Sequence, residues 1–596
     1  MSAKVTAKNI DTITVDIIEN ALRNARHEMD AMLFRTALSP VIREQHDSFP
    51  MICDGEGKMI VGQFGSYIPG LLRDFEEDIG EEDVILINDP YLCGGSVSHL
   101  NDHLVLVPIY YKGERIGFTS MFGHLMDVGG IVAGSMPVTA STVYAEGIRI
   151  PPVKIVRDGK DNKDLFKVLM HNSRTPRENY SDIQALIASC RIGAQRVLDL
   201  VERFGLETYL AGCEALLERT NKMMRELIVK NLPEEPVSFE DYLDDDGVGN
   251  GPFKMKLTLW REGHEAYFDW SGTSGQSPGP INFYLSEEMF KMFIGIYLIM
   301  VYDPAIMFND GFYPLLHVNI PEGSMLKPKF PAALGCRTHA LARLFDVLGG
   351  ALVANAPAFG TAAGYGDSPY FIYSGHRKDD GEYFHLMEIL YGGIPGRPVG
   401  DGMDGHSWWP EFVNIPNEYL EIYYPLRVER YTSRIDSGGA GLNRGGNGIE
   451  KLYTCLEDGF VSIHDDRARI PPWGINGGLH GEFSQKVLIR TDGSREDLPT
   501  KIDNVPVKAG DQILFITAGG GGWGDPLERD AAKVGLDVAR LLVTPEKAAR
   551  DYGVILGKDG RPDLAATETR RAELREARGD VRKFDFGREL AIAAVE

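Results

Sequence analysis

Two apolar runs, Leu104–Tyr111 and Ile116–Phe122, flank the short turn Lys112-Gly113-Glu114-Arg115, and this arrangement constrains the chain more than any other stretch. Apolar runs joined by a Gly-containing turn predict an antiparallel β-hairpin. Metal-ligating residue types crowd its open end: His99, Asp102 and His103 before the first run, His124 and Asp127 after the second. Folding back at Lys112-Gly113 sets His124 opposite the segment around Asn101. With an even number of loop residues, His124 shares a face with His99 and His103, because strand side chains alternate. Asp102 can join them where the strand breaks down. Two imidazoles and a carboxylate converging from different sides suit divalent Zn, Mn or Fe. Only Cys93 lies near, so a thiolate-seeking metal is not indicated. Three protein ligands leave positions for water or substrate.

The rest of the 596 residues can bury several cores. Region 1–175 holds the hairpin and a helix predicted over 14–36, ended by Ser39-Pro40. A strand at Phe49–Cys53 and a turn at Asp54-Gly55 follow, with Glu44, His46 and Asp47 before them in a polar loop. Region 176–232 is predicted helical, with Asp182 a candidate N-cap, an apolar stripe through Ile183, Leu186, Cys190, Val197 and Val201, and a break at Gly205. Region 233–530 is predicted β-rich and Gly/Pro-rich. Within it, Glu234–Asp246 is an acidic, solvated connection, and Phe253–Trp270 alternates like paired strands. Met289–Val301 and Leu341–Ala356 are buried helices, and Lys451–Phe515 breaks into short strands. His406, Trp408 and Trp409, beside Asp401 and Asp404, are candidates to line a pocket for a flat, partly apolar substrate. The same rings suit anchors that pin an irregular loop to the core. Region 531–596 is predicted to be a charged helical tail.

Glycine is abundant, with 67 residues clustered as in DSGGAGLNRGGNG and TAGGGGWGDP and no G-X-Y period. Such clusters predict backbones that approach one another closely, as in packed polyproline-type segments. An apolar share of 43% and a charged share of 25% are those of a globular protein. The net charge of -24 argues against nucleic acid or an anionic membrane as partner. Six scattered cysteines without CxxC spacing indicate reduced thiols in a cytoplasmic protein. The first sixteen residues lack the apolar core of a signal peptide, and no run is long enough to span a bilayer. A P-loop and a G-x-S-x-G elbow are both missing, so ATP binding by this chain is not indicated.

Seven segments carry a resemblance: SP-x-IRE-x-x-D, NDPY-x-x-GG-x-x-SHLND, GH-x-x-DVGG, DWSGTS, PEGS, DSGGAGLNRGGNG and GGGGWGDPLER. Together, from about residue 12 to residue 530, they resemble the hydantoinase B/oxoprolinase family, which includes the corresponding subunits of acetone and acetophenone carboxylases. The resemblance implies an α+β fold with barrel-like β-sheets, peripheral helices and a Gly/Pro-rich bundle of polyproline-type segments. It implies a hetero-oligomer with an ATPase subunit of the actin-like/Hsp70 superfamily (hydantoinase A type), which uses ATP to phosphorylate the substrate, and room for a small additional subunit. Carried over by position, the metal ligands are Asp47, His99, Asp102 and His124. His103 and Asp127 become candidates to orient ligands or move protons. His46 joins them, because this chain has REQHDSF where relatives have ER-x-DFS. Likeness around GHLMDVGG and HSWWPEF points to acetophenone carboxylase. The favoured expectation is therefore ATP-dependent carboxylation of an aromatic ketone with bicarbonate to a β-keto acid. The alternatives are ATP-dependent ring opening of hydantoin, 5-oxoproline or a lactam, and an assembly scaffold with a structural metal.

Overall fold

The computed structural model describes residues 6–7, 10–63, 66–355, 360–409 and 412–587. They divide into two compact units interleaved along the chain. Unit 1 falls within Met1–Pro236, Thr258–Arg337 and Glu411–Val413; unit 2 within Val237–Leu257, Thr338–Pro410 and Asn414–Glu596. These boundaries differ from the four consecutive regions expected from composition. One falls at the start of the strand Val237–Leu243, one within the strand Phe253–Glu262 and one at the start of the helix Thr338–Asn355.

In unit 1, helix α1 (Thr12–Thr36) begins at Asp11, whose carboxylate accepts the Thr14 N–H at 2.9 Å. Its stripe Ile18, Leu22, Ala25, Met29 and Leu33 is buried. Ser39 does more than stop this helix, because it caps a short second one, α2 (Pro40–Arg43), with proline at the first position. Strands β1 (Ser48–Asp54) and β2 (Met59–Gly62) follow, then α3 (Ile68–Asp74). Next come β3 (Val84–Ile87), β4 (Asp102–Tyr111), β5 (Glu114–His124), β6 (Val153–Arg157) and β7 (Lys160–Asp161). The strands form one antiparallel sheet in the order β2-β1-β5-β4-β3-β6-β7.

After α4 (Lys163–His171), α5 (Pro176–Phe204) and α6 (Leu206–Asn231) are separated at Gly205, whose φ of 81° continues neither helix. Alternation along the strands sends Ile52, Val105, Val107 and Met121 to one face, where they form a core with α1 and α5. Met51, Cys53, Leu104, Leu106 and Phe118 form a second core on the other face. Ser286 caps α7 (Glu287–Tyr302), the buried helix expected near Met289.

Unit 2 contains the helix Thr338–Asn355, a two-stranded sheet of Gly474–Ile475 and Phe584–Asp585, and two larger antiparallel sheets. One joins Tyr383–Ile389, Tyr370–His376, Gly459–His464 and Lys501–Val507; the other joins Leu426–Ser433, Ile449–Cys455, Gln512–Ile516, Gln485–Ile489 and Arg495–Leu498. Phe371, Leu386 and Val461 of the first share a core with Tyr453, Leu488 and Ile513 of the second. The mixed α+β expectation holds, with open sheets over shared cores and no closed barrel among the described residues.

The glycine clusters meet here as hydrogen-bonded segments outside any helix or strand. The Gly439 N–H donates to the Gly520 carbonyl, the Gly520 N–H to Gly446 and the Gly446 N–H to Ile394, each at 2.8 Å. A Cβ on Gly519 would lie 1.8 Å from the Ser437 carbonyl oxygen, and one on Gly446 would lie 1.9 Å from that of Met403. No side chain fits between these backbones.

The acidic segment Glu234–Asp246 is not a solvated connection. Val237–Leu243 is a strand, and Asp241, Asp244 and Asp246 are buried. The Arg467 guanidinium pairs with Asp241 at 3.1 Å and Asp346 at 2.7 Å, while Asp244 accepts the N–H groups of Ala468, Arg469 and Ile470. Burial without partners would be costly for such charges; partners remote in sequence compensate Asp241 and Asp244, and Asp246 accepts from Val248 and Asn250 close by. The tail forms helices at Ala531–Ala539, Pro545–Asp551 and Leu564–Arg578; Ala356 and residues 588–596 of the predicted helices lie outside the described residues.

Gly519→Ala or Gly446→Ala is expected to destabilise unit 2 by about 3 kcal/mol through overpacking. Gly275→Ala, whose Cβ would meet only the Gly323 carbonyl oxygen at 4.0 Å, is expected to stay within about 0.5 kcal/mol of the parent. Urea denaturation of the three variants distinguishes a close-packed bundle from a loose one.

Candidate metal centre

The hairpin turns at Lys112 and Gly113, whose φ angles of 52° and 83° match a two-residue primed turn. Pairing starts as Tyr111↔Glu114 and Tyr110↔Arg115, then steps to Ile109↔Gly117, leaving Ile116 as an extra residue. This bulge shifts the register by one. His124 therefore faces Asp102 rather than Asn101, and His103 faces Gly123. Residues directly opposite share a face, so Asp102 and His124 project together. On the other side of β5, Ser48 pairs with Gly123 and the His124 N–H donates to the Asp47 carbonyl at 3.1 Å. Asp47, His124 and Asp102 thus form a row across three strands at one end of the sheet. His99 reaches the same place from the turn that precedes β4.

The four side chains are buried and close. His99 Nε2 lies 3.0 Å from Asp102 Oδ1 and 3.2 Å from His124 Nδ1. His124 Nδ1 lies 3.6 Å from both Asp102 Oδ1 and Asp47 Oδ2. One ligand atom each from His99, Asp102 and His124 falls within 4.8 Å of the others. Donors about 2.0–2.2 Å from a cation are roughly 3.0–3.5 Å apart in octahedral or tetrahedral arrangements, so this set fits one. Two ring nitrogens and a carboxylate aimed at one another are also a better set of cation ligands than of mutual hydrogen-bond partners.

Burial pushes His99 down to about 3, helped by the positive charge of Arg337, so its ring is neutral and offers a lone pair. Against the cost of burial, His99 and Arg337 hold Asp102 well below the usual carboxylate range. Asp47 is pushed up to about 6 by burial, with His124 opposing and Asp102 adding to the rise.

The three candidates for proton handling have other settings. His103 lies on the opposite strand face from Asp102, its Nδ1 3.2 Å from the Asn101 carbonyl, and burial lowers it to about 4. His46 has a φ of 62° and stacks its ring on Phe34 of α1, with centroids 3.8 Å apart. Asp127 accepts the N–H groups of Gly129, Gly134 and Arg174 at 3.0, 3.1 and 2.9 Å, and pairs with the Arg174 guanidinium at 2.8 Å. Its carboxylate organises the loop after β5. In unit 2, Trp409 is buried, donates its indole N–H to Ser368 Oγ and meets the Phe345 ring at 5.9 Å. The Trp408 N–H donates to Tyr365 Oη at 3.2 Å, and His406 Nδ1 lies 2.9 Å from the Ser407 carbonyl. Trp409 thus has the contacts of a ring anchoring a loop, whereas Trp408 is bonded through its backbone and its indole Nε1 is buried without a hydrogen-bond partner among the described residues. Asp401 and Asp404 pair with Arg529 and Arg444.

Two features escaped sequence reasoning. Arg337, buried and more than 200 positions from the hairpin, approaches Asp102 Oδ2 at 3.3 Å and Ser98 Oγ at 2.8 Å. No spacing or periodicity marks it. Phe49, two residues from Asp47, lies 5.3 Å from Phe122 and 5.8 Å from Phe412 between ring centroids, an aromatic flank on the face of the ligands. Strand alternation around Asp47 and His124 could have found the first two rings.

Comparison with known proteins places these residues in context. The Hydantoinase B/oxoprolinase family profile matches residues 11–526. One subunit of a putative D-/L-hydantoinase from Pseudomonas sp. (strain NS671) is 32% identical, covering 94% of this chain and 98% of that protein. The crystal structure of an ATP-dependent caprolactamase from Pseudomonas jessenii is similar with a TM-score of 0.87 at 29% identity, over 95% of this chain and 100% of that one. A nucleotide-free acetone carboxylase shares the fold with a TM-score of 0.86 at 20% identity, over 95% of this chain and 83% of that one. No helix among the described residues is long and apolar enough to cross a membrane.

His99 and His103, folded near 3 and 4, titrate below the ordinary value of about 6.5, so the unfolded chain takes up protons first on acidification. The stability these two groups contribute above pH 6.5 is lost between there and about pH 4 for His103 and about pH 3 for His99. Asp47, raised to about 6, works oppositely and offsets one of the two. Buried acids such as Glu146, raised to about 8, work in the same direction as Asp47, so the histidine contribution is read as a difference. Between pH 7 and pH 5 the metal-free parent is expected to lose urea stability relative to His103→Asn, and an unchanged difference between the two proteins at both pH values would contradict this.

Proposed function

Since this chain belongs to the hydantoinase B/oxoprolinase family, we propose that it is the metal-bearing component of an ATP-dependent complex that opens a cyclic amide such as hydantoin, 5-oxoproline or a lactam. The observation that carries this reading is the convergence of Asp47, His99, Asp102 and His124 at separations of 3.0–3.6 Å as a buried cluster of donors. A divalent cation held there (Zn, Mn or Fe) supplies Lewis-acid polarisation of a substrate oxygen. The rings of His99 and His124 and the ionised Asp102 are the holding groups, and Asp47 closes the set. Arg337 keeps Asp102 oriented, and Ser98 keeps Arg337 in place. The rings of Phe49, Phe122 and Phe412 give the apolar part of a substrate a dry flank.

ATP enters through a partner ATPase of the hydantoinase A type, which is in keeping with the hydantoinase relative being one subunit of its enzyme. Identities of 32% and 29% to a hydantoinase subunit and a caprolactamase favour ring opening over ketone carboxylation. The likeness to acetone carboxylase, at 20% identity, is one of fold. The change to REQHDSF does not argue against hydrolysis, because His46 turns to Phe34 while Asp47 still faces His124.

The test is ADP release by this chain copurified with its ATPase. Hydantoin, 5-oxoproline or caprolactam is expected to stimulate it without bicarbonate and to yield the ring-opened acid. Release driven by acetophenone, with bicarbonate-dependent β-keto acid, would replace ring opening by carboxylation. His124→Ala is expected to strip the metal and lower turnover by more than about 100-fold, beyond the cost of losing an outer partner of a ligand. Unchanged turnover in an assembled complex would assign the chain a scaffold role.

A further inference from the structure

We propose that Arg337 forms an anion-binding subsite against the His99/Asp102/His124 cluster and takes an anionic oxygen of the substrate, phosphoryl or carboxylate. The inference rests on the metal-centre reading above.

Arg337 is only 7% exposed, yet its guanidinium is half used. Nε donates to Ser98 Oγ at 2.8 Å and Nη2 to Asp102 Oδ2 at 3.3 Å. Nη1 is buried and has no hydrogen-bond partner among the described residues. A guanidinium presents its N–H groups in one rigid plane, so pinning Nε and Nη2 also fixes where Nη1 points. Leaving donors dry in the interior is costly unless a ligand takes them.

The loop that carries Arg337 is itself built. Glu146 Oε1 accepts the Leu334 and Gly335 N–H groups at 2.5 and 2.7 Å, the Cys336 N–H donates to the Pro280 carbonyl at 3.0 Å, and the Arg337 N–H donates to Leu334 at 3.0 Å. These bonds hold the guanidinium in place before any ligand arrives.

Charge supplies an independent reason. Two carboxylates, Asp47 and Asp102, balance a divalent cation, and Arg337 then leaves one positive charge in a buried site. Glu146 does not cancel it, because burial pushes that carboxyl up to about 8 and it stays protonated at neutral pH. An uncompensated interior charge is strongly disfavoured, and an anionic oxygen bonded to Nη1 neutralises it. Asp102 joins the two halves of the site, one oxygen facing the histidines and the other facing Arg337.

The test uses the full-length chain loaded with Zn2+ and titrated calorimetrically with inorganic phosphate and, separately, with acetate; the tighter of the two identifies a phosphoryl or a carboxylate ligand. Arg337→Gln is expected to weaken the preferred anion by roughly 10- to 100-fold while retaining zinc, and Arg337→Lys, which keeps charge but not the fork, to fall between. Equal affinity in the parent and Arg337→Gln, no measurable anion binding by the parent, or loss of zinc on Arg337→Gln would each overturn the subsite. His124→Ala separates the two readings. If it keeps its zinc, the metal-centre reading fails while the subsite still stands or falls on the comparison of parent and Arg337→Gln. If it loses zinc, anion affinity is expected to fall with it, and undiminished affinity in the zinc-free variant would overturn the charge argument.

Discussion

The antiparallel register of β1, β5 and β4 is the constraint on which the candidate site depends. Asp47, His124 and Asp102 stand in one row only because each strand is paired in a single register. A one-residue slip would turn every side chain of a strand to the opposite face. The register is held along the whole hairpin by two different cores, with Val105 and Met121 packed on one face and Leu104 and Phe118 on the other. Packing far from the ligands therefore sets their geometry. The extra residue at Ile116 completes it, since without that bulge His124 would face Asn101.

Buried charge is handled in both units by pairing over long sequence separations. In unit 1, Asp102 meets Arg337; in unit 2, Arg343 meets Asp466 at 2.8 Å and Arg467 meets Asp241 and Asp346. Such pairs contribute little net stability relative to apolar packing, but removing one partner leaves a charge stranded in the interior. They thereby specify which segments meet. In unit 1 the paired groups also keep both carboxylate oxygens of Asp102 occupied, one by imidazole nitrogen and one by guanidinium. Asp102, the candidate cation ligand, gains its fixed orientation from this.

Much of the local structure was legible because it follows from short-range chemistry. The α1 helix, the break at Gly205, the Ser286-capped helix and the two arms of the hairpin all follow from periodicity, capping residues and turn residues, and their observed ends lie within a few positions of those expected. His99, Asp102 and His124 were legible as a group from their spacing around the hairpin. Other readings failed for want of partners. The acids of Glu234–Asp246 looked solvated because the arginine and backbone N–H groups that neutralise and satisfy them lie in segments more than 100 residues away. The tryptophans near His406 looked equally suited to a pocket or a core; Trp409 is held by Ser368 and Phe345, and the indole Nε1 of Trp408 has no hydrogen-bond partner among the described residues.

The sequence by itself determined the elements, the ligand types, the family and the close approach that its glycines permit, because each depends on residue type and local spacing. Tertiary structure alone decided that His103 and His46 turn away and that Arg337 reaches Asp102. Those outcomes depend on a one-residue bulge, a positive φ and a contact across more than 200 positions, and none of these leaves a periodic mark in the chain.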